Sequence, residues 1–282
     1  MKWLIIGHNG WIGQQIIKIL KDKNEDIITT NCRADNITNI ENILLTTCPE
    51  RVICVIGRTH GDNIKTIDYL EQKGKLVENI NDNLYSPIIL ALICSKYNIH
   101  LTYLGTGCIF SGYEKQYNEN DTPDFYGSSY SIVKGFTDKL IKNFDNVLNV
   151  RIRMPISDDL NSERNFIYKI THYEKICSMN NSMTVLPELL PILIDMIINN
   201  QNGTINLVNP GGITHNEILE LYKEIIDPNF IWYNMSLEEQ DKILLAERSN
   251  NILDTNKLKK LYPNVTNIKD AIKKLFINIK NK

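Results

Sequence analysis

Apolar and polar positions alternate at two different periods along the first half of the chain. Lys2–Ile6 is a short apolar run. Behind it Ile12, Ile16, Ile19 and Leu20 recur on one stripe, the i, i+4, i+7, i+8 face of a helix lying on a sheet. The same alternation predicts strands at 26–30, 51–56, 100–104 and 147–152. It predicts a weaker helix around 39–45, a long apolar helix over 75–97 and another helix over 128–144. Strand and helix trading places at this interval specify a parallel sheet covered by helices on both faces, an α/β doubly wound fold. After Pro155 the rhythm changes. Helical stretches at 165–172, 188–199, 216–226 and 269–279 are separated only by short strand candidates at 183–186 and 204–208, with prolines at 155, 187, 191, 210, 228 and 263. The expected division is a dinucleotide-binding domain over 1–155 and a smaller, helix-rich substrate lobe over 156–282, interleaved with the first.

Gly7, Gly10 and Gly13 stand where the first strand turns into the first helix. A phosphate-binding turn needs glycine for the bend and for close backbone approach. The helix that opens at Trp11 and Ile12 adds N–H donors and the positive end of its dipole. The end of the second strand meets the adenine ribose of a dinucleotide, where an acidic residue favours a free 2′-hydroxyl and an arginine a 2′-phosphate. Arg33 at that position points to NADPH, with NADH left open and Asp35 close behind.

Tyr130 and Lys134 share one helix face, a turn apart. The spacing alone is weak, because Tyr69 and Lys73 repeat it. Context separates the two pairs. Tyr130 follows the fourth strand and a loop carrying Thr106, whereas Tyr69 precedes that strand. Hydride reduction of a carbonyl requires a proton donor at the oxygen. A phenol beside an ammonium is lowered toward the working pH, and a second hydroxyl completes a small oxyanion site. Cys108 lies two positions beyond Thr106, so an extended strand end would aim both side chains the same way. By pattern alone Cys108 reads first as a small buried hydrophobe and Lys169 as an exposed helical lysine.

Composition narrows the classes. With 31 basic and 33 acidic side chains the net charge is −2, which gives no basis for binding nucleic acid or an anionic membrane. The basic cluster Lys257, Lys259 and Lys260 reads as a solvated face. No apolar run approaches the ~18 residues of a membrane span, and the N-terminus lacks a signal-peptide pattern. The six cysteines show no CxxC and no metal-ligand spacing, which fits a reduced, cytoplasmic chain without a metal.

Several segments resemble one family. They are Gly-Thr-Gly-Cys-Ile-Phe at 105–110, Asp-Thr-Pro-Asp-Phe-Tyr-Gly-Ser-Ser-Tyr-Ser at 121–131, Arg-Ile-Arg-Met-Pro-Ile-Ser at 151–157, Arg-Asn-Phe-Ile at 164–167, Asn-Pro-Gly at 209–211 and Arg-Ser-Asn-Asn at 248–251. Together they resemble the plant-type bifunctional UDP-4-keto-6-deoxyglucose 3,5-epimerase/4-reductases, with the dTDP-4-dehydrorhamnose reductases as wider relatives. The resemblance implies an extended short-chain reductase fold that makes UDP-L-rhamnose with NADPH. Thr106, Tyr130 and Lys134 then match the reductase triad, and Cys108 and Lys169 the epimerase acid/base pair. Asn83, Asn165 and Arg248 become substrate-binding candidates, Arg248 toward the diphosphate. The substrate, UDP-4-keto-6-deoxyglucose, would come from a separate 4,6-dehydratase, and a homodimer is compatible with this reading. The alternatives are a 4-reductase without epimerase activity and a non-catalytic regulatory homologue. Cys108 speaks against the first, and the intact Thr106, Tyr130 and Lys134 set against the second.

Overall fold

The computed structural model describes residues 1–281. Its elements run β1 (Lys2–Ile6), α1 (Trp11–Asp22), β2 (Asp26–Thr29), α2 (Ile37–Thr47) and β3 (Arg51–Cys54). A 3₁₀ turn at Ile67–Glu71 precedes α3 (Leu76–Ile80) and α4 (Ser86–Lys96), which a π turn at Asn81–Tyr85 joins into one rod. Then come β4 (His100–Thr106), β5 (Gly112–Tyr117), α5 (Ser129–Ile141), β6 (Val147–Ile152), β7 (Pro155–Ile156), α6 (Phe166–His172), β8 (Thr184–Val185) and α7 (Leu186–Ile198). The chain closes with β9 (Gly203–Asn206), α8 (His215–Ile225), α9 (Leu237–Ile243), β10 (Asn251–Leu253), α10 (Asn256–Leu261) and α11 (Ile268–Lys280).

Six parallel strands form the central sheet in the order β2-β1-β3-β4-β6-β9. Strand alternation sends successive side chains to opposite faces. Trp3 and Ile5 therefore join Ile16 and Leu20 of α1 and the leucines of α7 on one side. Leu4 and Ile6 join Leu44 of α2, Leu90 of α4 and Ile141 of α5 on the other. Because the strand order reverses at β1, a crevice opens at the carboxyl ends of β1 and β3, where such sheets bind ligands.

The second half is less separate than its rhythm suggests. Its 204–208 strand candidate is β9, the sixth strand of the central sheet rather than part of a detached lobe, and Lys257 reaches back to donate to its Thr204 carbonyl at 2.6 Å. A third core, built from α6, α8 and α11 around Ile167, Leu219 and Phe276, caps the sheet's carboxyl edge. A short parallel ladder between β5 and β10 ties the loop after β4 to the segment near residue 250. No helix of the described residues is long and apolar enough to cross a membrane.

Candidate active site

The first turn is built around its glycines. Gly7 takes φ +91°, a left-handed conformation open to glycine, and its back lies against Val55. A Cβ on Gly13 would sit 2.5 Å from the Gly7 carbonyl oxygen, so only glycine lets α1 lie this close to β1. Gly10 occupies the N-cap of α1 and offers no side-chain cap, which leaves the N–H groups of Trp11, Ile12 and Gly13 facing the turn. Gly13→Ala is expected to cost about 1–3 kcal/mol, as overpacking does. An unchanged denaturant midpoint would contradict this close packing.

Arg33 lies past the end of β2, with its side chain 60% exposed. Its Nε and Nη2 engage Asp35 at 2.7–3.1 Å, and Nη2 also reaches Asp82 at 3.0 Å. Asp82 bridges in turn to Arg58. Arg33 is thus not the free cation its place in the sequence suggests, and two carboxylates orient it.

Deeper in the crevice, β4 ends at Thr106 and α5 delivers Tyr130 and Lys134. Ser128 caps α5 by accepting from the Ser131 N–H, and the Glu71 carboxylate accepts from Ser129 N at 2.7 Å and also from Tyr130 N. Tyr130 and Lys134 are both nearly buried. Burial pushes the Lys134 ammonium down to about 8, and its Nζ donates to the Tyr103 hydroxyl at 2.6 Å. The expected lowering of the Tyr130 phenol is not found. Burial and the neighbouring Cys108 push it up, against a hydrogen bond from Thr106 that acts the other way.

Cys108 reaches Tyr130 by a route different from the one the spacing implies. The strand does not stay extended, because the Cys108 N–H turns back onto Thr106 Oγ1 at 3.0 Å. The turn still packs Cys108 against the cluster formed by Tyr69, Leu70 and Tyr130, and Cys108 acts electrostatically on the Tyr130 phenol. Lys169 lies in a second group. It is half-buried on α6 rather than exposed, and burial with the charges of Arg164 and Arg248 lowers its ammonium. Its neighbour His60 bonds to Arg164, and burial together with Arg164, Arg58 and Lys169 holds that ring neutral, at about 4. Arg248 is paired with Asp68 at 2.5 Å, and Asp68 also accepts the N–H groups of Leu245 and Ala246.

A cavity of about 750 Å³ runs between the sheet edge and the C-terminal core. Cys108, Tyr130, Met154, Phe166, Tyr173 and Arg248 all line it, and the volume suits a ligand larger than a simple sugar. No cluster able to hold a metal ion occurs among the described residues.

Residues 1–172 match the RmlD substrate binding domain family. The chain belongs to that family. Its fold is also that of the L780 UDP-rhamnose synthase of Acanthamoeba polyphaga mimivirus, with a TM-score of 0.96 and 54% identity over 98% of this chain and 99% of that one. The bifunctional dTDP-4-dehydrorhamnose 3,5-epimerase/dTDP-4-dehydrorhamnose reductase of Arabidopsis thaliana is 41% identical over 96% of this chain and 90% of its own length. A trifunctional Arabidopsis protein, named as UDP-glucose 4,6-dehydratase, UDP-4-keto-6-deoxy-D-glucose 3,5-epimerase and UDP-4-keto-L-rhamnose reductase, is 40% identical. This chain spans 41% of that protein's length.

Two of the substrate-binding candidates lie inside the fold and bond to the chain itself. Asn83 is fully buried in the π turn. Its Oδ1 accepts from Arg58 N at 3.0 Å, and its Nδ2 donates to Arg58 O and Asn79 Oδ1. It pins the backbone after β3. Asn165 is likewise buried as the N-cap of α6, bonded to Ile167 N and to the carbonyls of Ser157 and Asp159. Residues the motifs did not single out stand beside these groups: Tyr103 under Lys134, Asp82 beside Arg33 and His60 beside Lys169, while Arg164, which opens the quoted 164–167 segment, also lies near Lys169. None carries a local signal. Each becomes visible only when strands and loops distant in sequence meet.

Proposed function

We propose that this chain converts UDP-4-keto-6-deoxyglucose to UDP-L-rhamnose by 3,5-epimerisation and NADPH-dependent reduction at C4. The observation that carries the reading is a thiol, Cys108, packed just past the end of β4 against the cluster that holds Tyr130, near enough to act electrostatically on its phenol, with both lining one cavity. A reductase needs the phenol there and has no use for the thiol. The relatives that combine both activities, at 40% identity and above, support the same reading.

The glycine turn and the uncapped start of α1 fit a dinucleotide, since a Cβ at Gly13 would fill the space that the turn closes. The pyrophosphate would lie against the N–H groups of Trp11, Ile12 and Gly13, and Arg33 would meet the adenine ribose. When bound, NADPH supplies the hydride for C4. Tyr130 protonates the C4 oxygen, Thr106 donates a second hydrogen bond to it, and Lys134 keeps positive charge beneath the phenol. Cys108 and Lys169 move protons at C3 and C5. The ketone acidifies both carbons, so one group removes a proton to leave an enolate and another returns a proton to the opposite face. Lys169, its ammonium lowered by burial and by the charges of Arg164 and Arg248, gives up its proton more readily than an exposed lysine. Residues 1–155 hold mainly the cofactor, and 156–282 mainly the sugar nucleotide, with Arg248 toward its diphosphate. A separate 4,6-dehydratase supplies the ketone, and the work is cytoplasmic.

Incubation with UDP-4-keto-6-deoxyglucose and NADPH, with the product identified by NMR, tests the proposal. UDP-L-rhamnose supports it; a 4-reduced sugar of unchanged C3 and C5 configuration would replace it with the reductase alone. For the cofactor, Arg33→Ala should raise the Michaelis constant for NADPH more than that for NADH. Equal changes for both would show that Arg33, held by Asp35 and Asp82, takes no part in the choice.

A further inference from the structure

Two arginines flank the end of β6, and their surroundings differ. Arg151 is fully buried and neutralised, its Nε and Nη2 on the Asp138 carboxylate at 2.9 and 2.7 Å. Arg153 is equally buried and meets no carboxylate among the described residues. Its Nη1 donates to the Gly107 carbonyl at 2.8 Å and to Ser249 Oγ at 3.1 Å. Its Nη2 donates to Asn181 Oδ1 at 2.6 Å and to the Ser249 carbonyl at 2.9 Å. Its Nε has no partner. Every acceptor is neutral, and a buried charge without a counter-charge is strongly unfavourable.

The placement of this charge is specific. The carbonyl it grips belongs to the residue before Cys108. A Cβ on Gly107 would lie 2.9 Å from Arg153 Cγ, so the arginine side chain runs flat against the turn that carries the thiol. Arg153 interacts electrostatically with Cys108 and, from β5, with the Tyr113 phenol. The other groups facing Cys108 are Thr106 from β4, Tyr130 and Lys134 from α5, and Tyr69 from the 3₁₀ turn. Lys134 is the other cation among them, and it donates to Tyr103. Arg248, which lines the same cavity, is paired with Asp68.

We propose that Arg153 is the counter-charge of the Cys108 sulfur and a positioning residue for its proton transfer. The inference rests on the reading of Cys108 as an acid/base in epimerisation. In that step the anionic sulfur takes a proton from a carbon next to the ketone. An S–H bond forms, and the C–H electron pair moves into the carbonyl as an enolate. A guanidinium that meets no carboxylate among the described residues stabilises the negative charge that the sulfur carries in this step.

The test follows Cys108 alkylation by iodoacetamide against pH, read by mass spectrometry of its peptide so that the other cysteines do not interfere. Arg153→Gln keeps hydrogen-bond donors and removes the charge, Arg153→Lys keeps the charge, and Ser249→Asp sets a carboxylate against Nη1. The pH of half-maximal alkylation should rise by about one unit or more in Arg153→Gln and Ser249→Asp, and return toward the parent value in Arg153→Lys. Solvent deuterium exchange into the sugar should fall in the first two variants by a larger factor than reduction of supplied UDP-4-keto-L-rhamnose. An alkylation profile unchanged in Arg153→Gln and Ser249→Asp overturns the proposal, as does an Arg153→Lys profile identical to that of Arg153→Gln. If Arg153→Gln does not fold, Ser249→Asp, which retains the arginine and its bonds to Gly107 and Asn181, decides alone. Alkylation involves no turnover, so its outcome is separate from the role of Cys108. That role fails if Cys108→Ala exchanges deuterium at the parent rate.

Discussion

Tyr130→Phe should lower NADPH-dependent reduction at C4 by at least ~10²-fold, the scale of a lost general acid. The substitution removes one hydroxyl and almost no volume, so the packing of the ring on Cys108, Tyr69 and Leu70 is kept. Solvent exchange at C3 and C5 should survive, because it needs the ketone and not the hydride. Tyr69→Phe is the matched control. Its ring touches the same cluster, but its hydroxyl is directed to Glu78 at 2.6 Å, away from the site. Reduction should therefore stay close to the parent rate. Equal losses in the two variants would mean that the phenol of Tyr130 is not the proton donor.

Cys108→Ala should divide the activities in the opposite sense. The sulfur is partly exposed toward the cavity, so the fold tolerates its loss. Deuterium incorporation from solvent should drop by ~10²-fold or more at one or both of C3 and C5. Slow oxidation of NADPH should persist on the unepimerised ketone, and at near-parent rate on an epimerised ketone supplied ready-made. Lys169→Met should show the same split at the other carbon, or on the return of the proton. Rhamnose formation by Cys108→Ala at the parent rate would leave the reductase as the only activity.

Much of this arrangement was legible in the sequence, and the failures share a cause. The βαβ rhythm, the glycine turn and the single helix face of Tyr130 and Lys134 are local patterns, and local patterns carry over. The π turn at Asn81–Tyr85 did not interrupt the predicted 75–97 helix, because its register shift leaves the apolar sequence continuous. Partnership is different. Nothing near 204–208 tells the chain that β9 will pair with β6 rather than lie in a separate lobe. The β5 strand was missed because four of its six residues are exposed and carry no apolar alternation. Asn83 and Asn165 show the same limit at the site, since nothing local to either tells that it bonds to the backbone of a distant segment or caps a helix. Arg153 did leave a trace, a charged residue at the end of a buried parallel strand, but Arg151 leaves the same trace and is only a salt-bridge partner. What distinguishes them among the described residues is the Asp138 carboxylate that only Arg151 meets, a fact of three dimensions.

The most direct measurement is one reaction of the unaltered protein in deuterated water, with UDP-4-keto-6-deoxyglucose and unlabelled NADPH. Epimerisation at both carbons followed by reduction gives UDP-L-rhamnose carrying deuterium at C3 and C5 and protium at C4. A reduced product with protium at both C3 and C5 would contradict the epimerase role of Cys108 and Lys169.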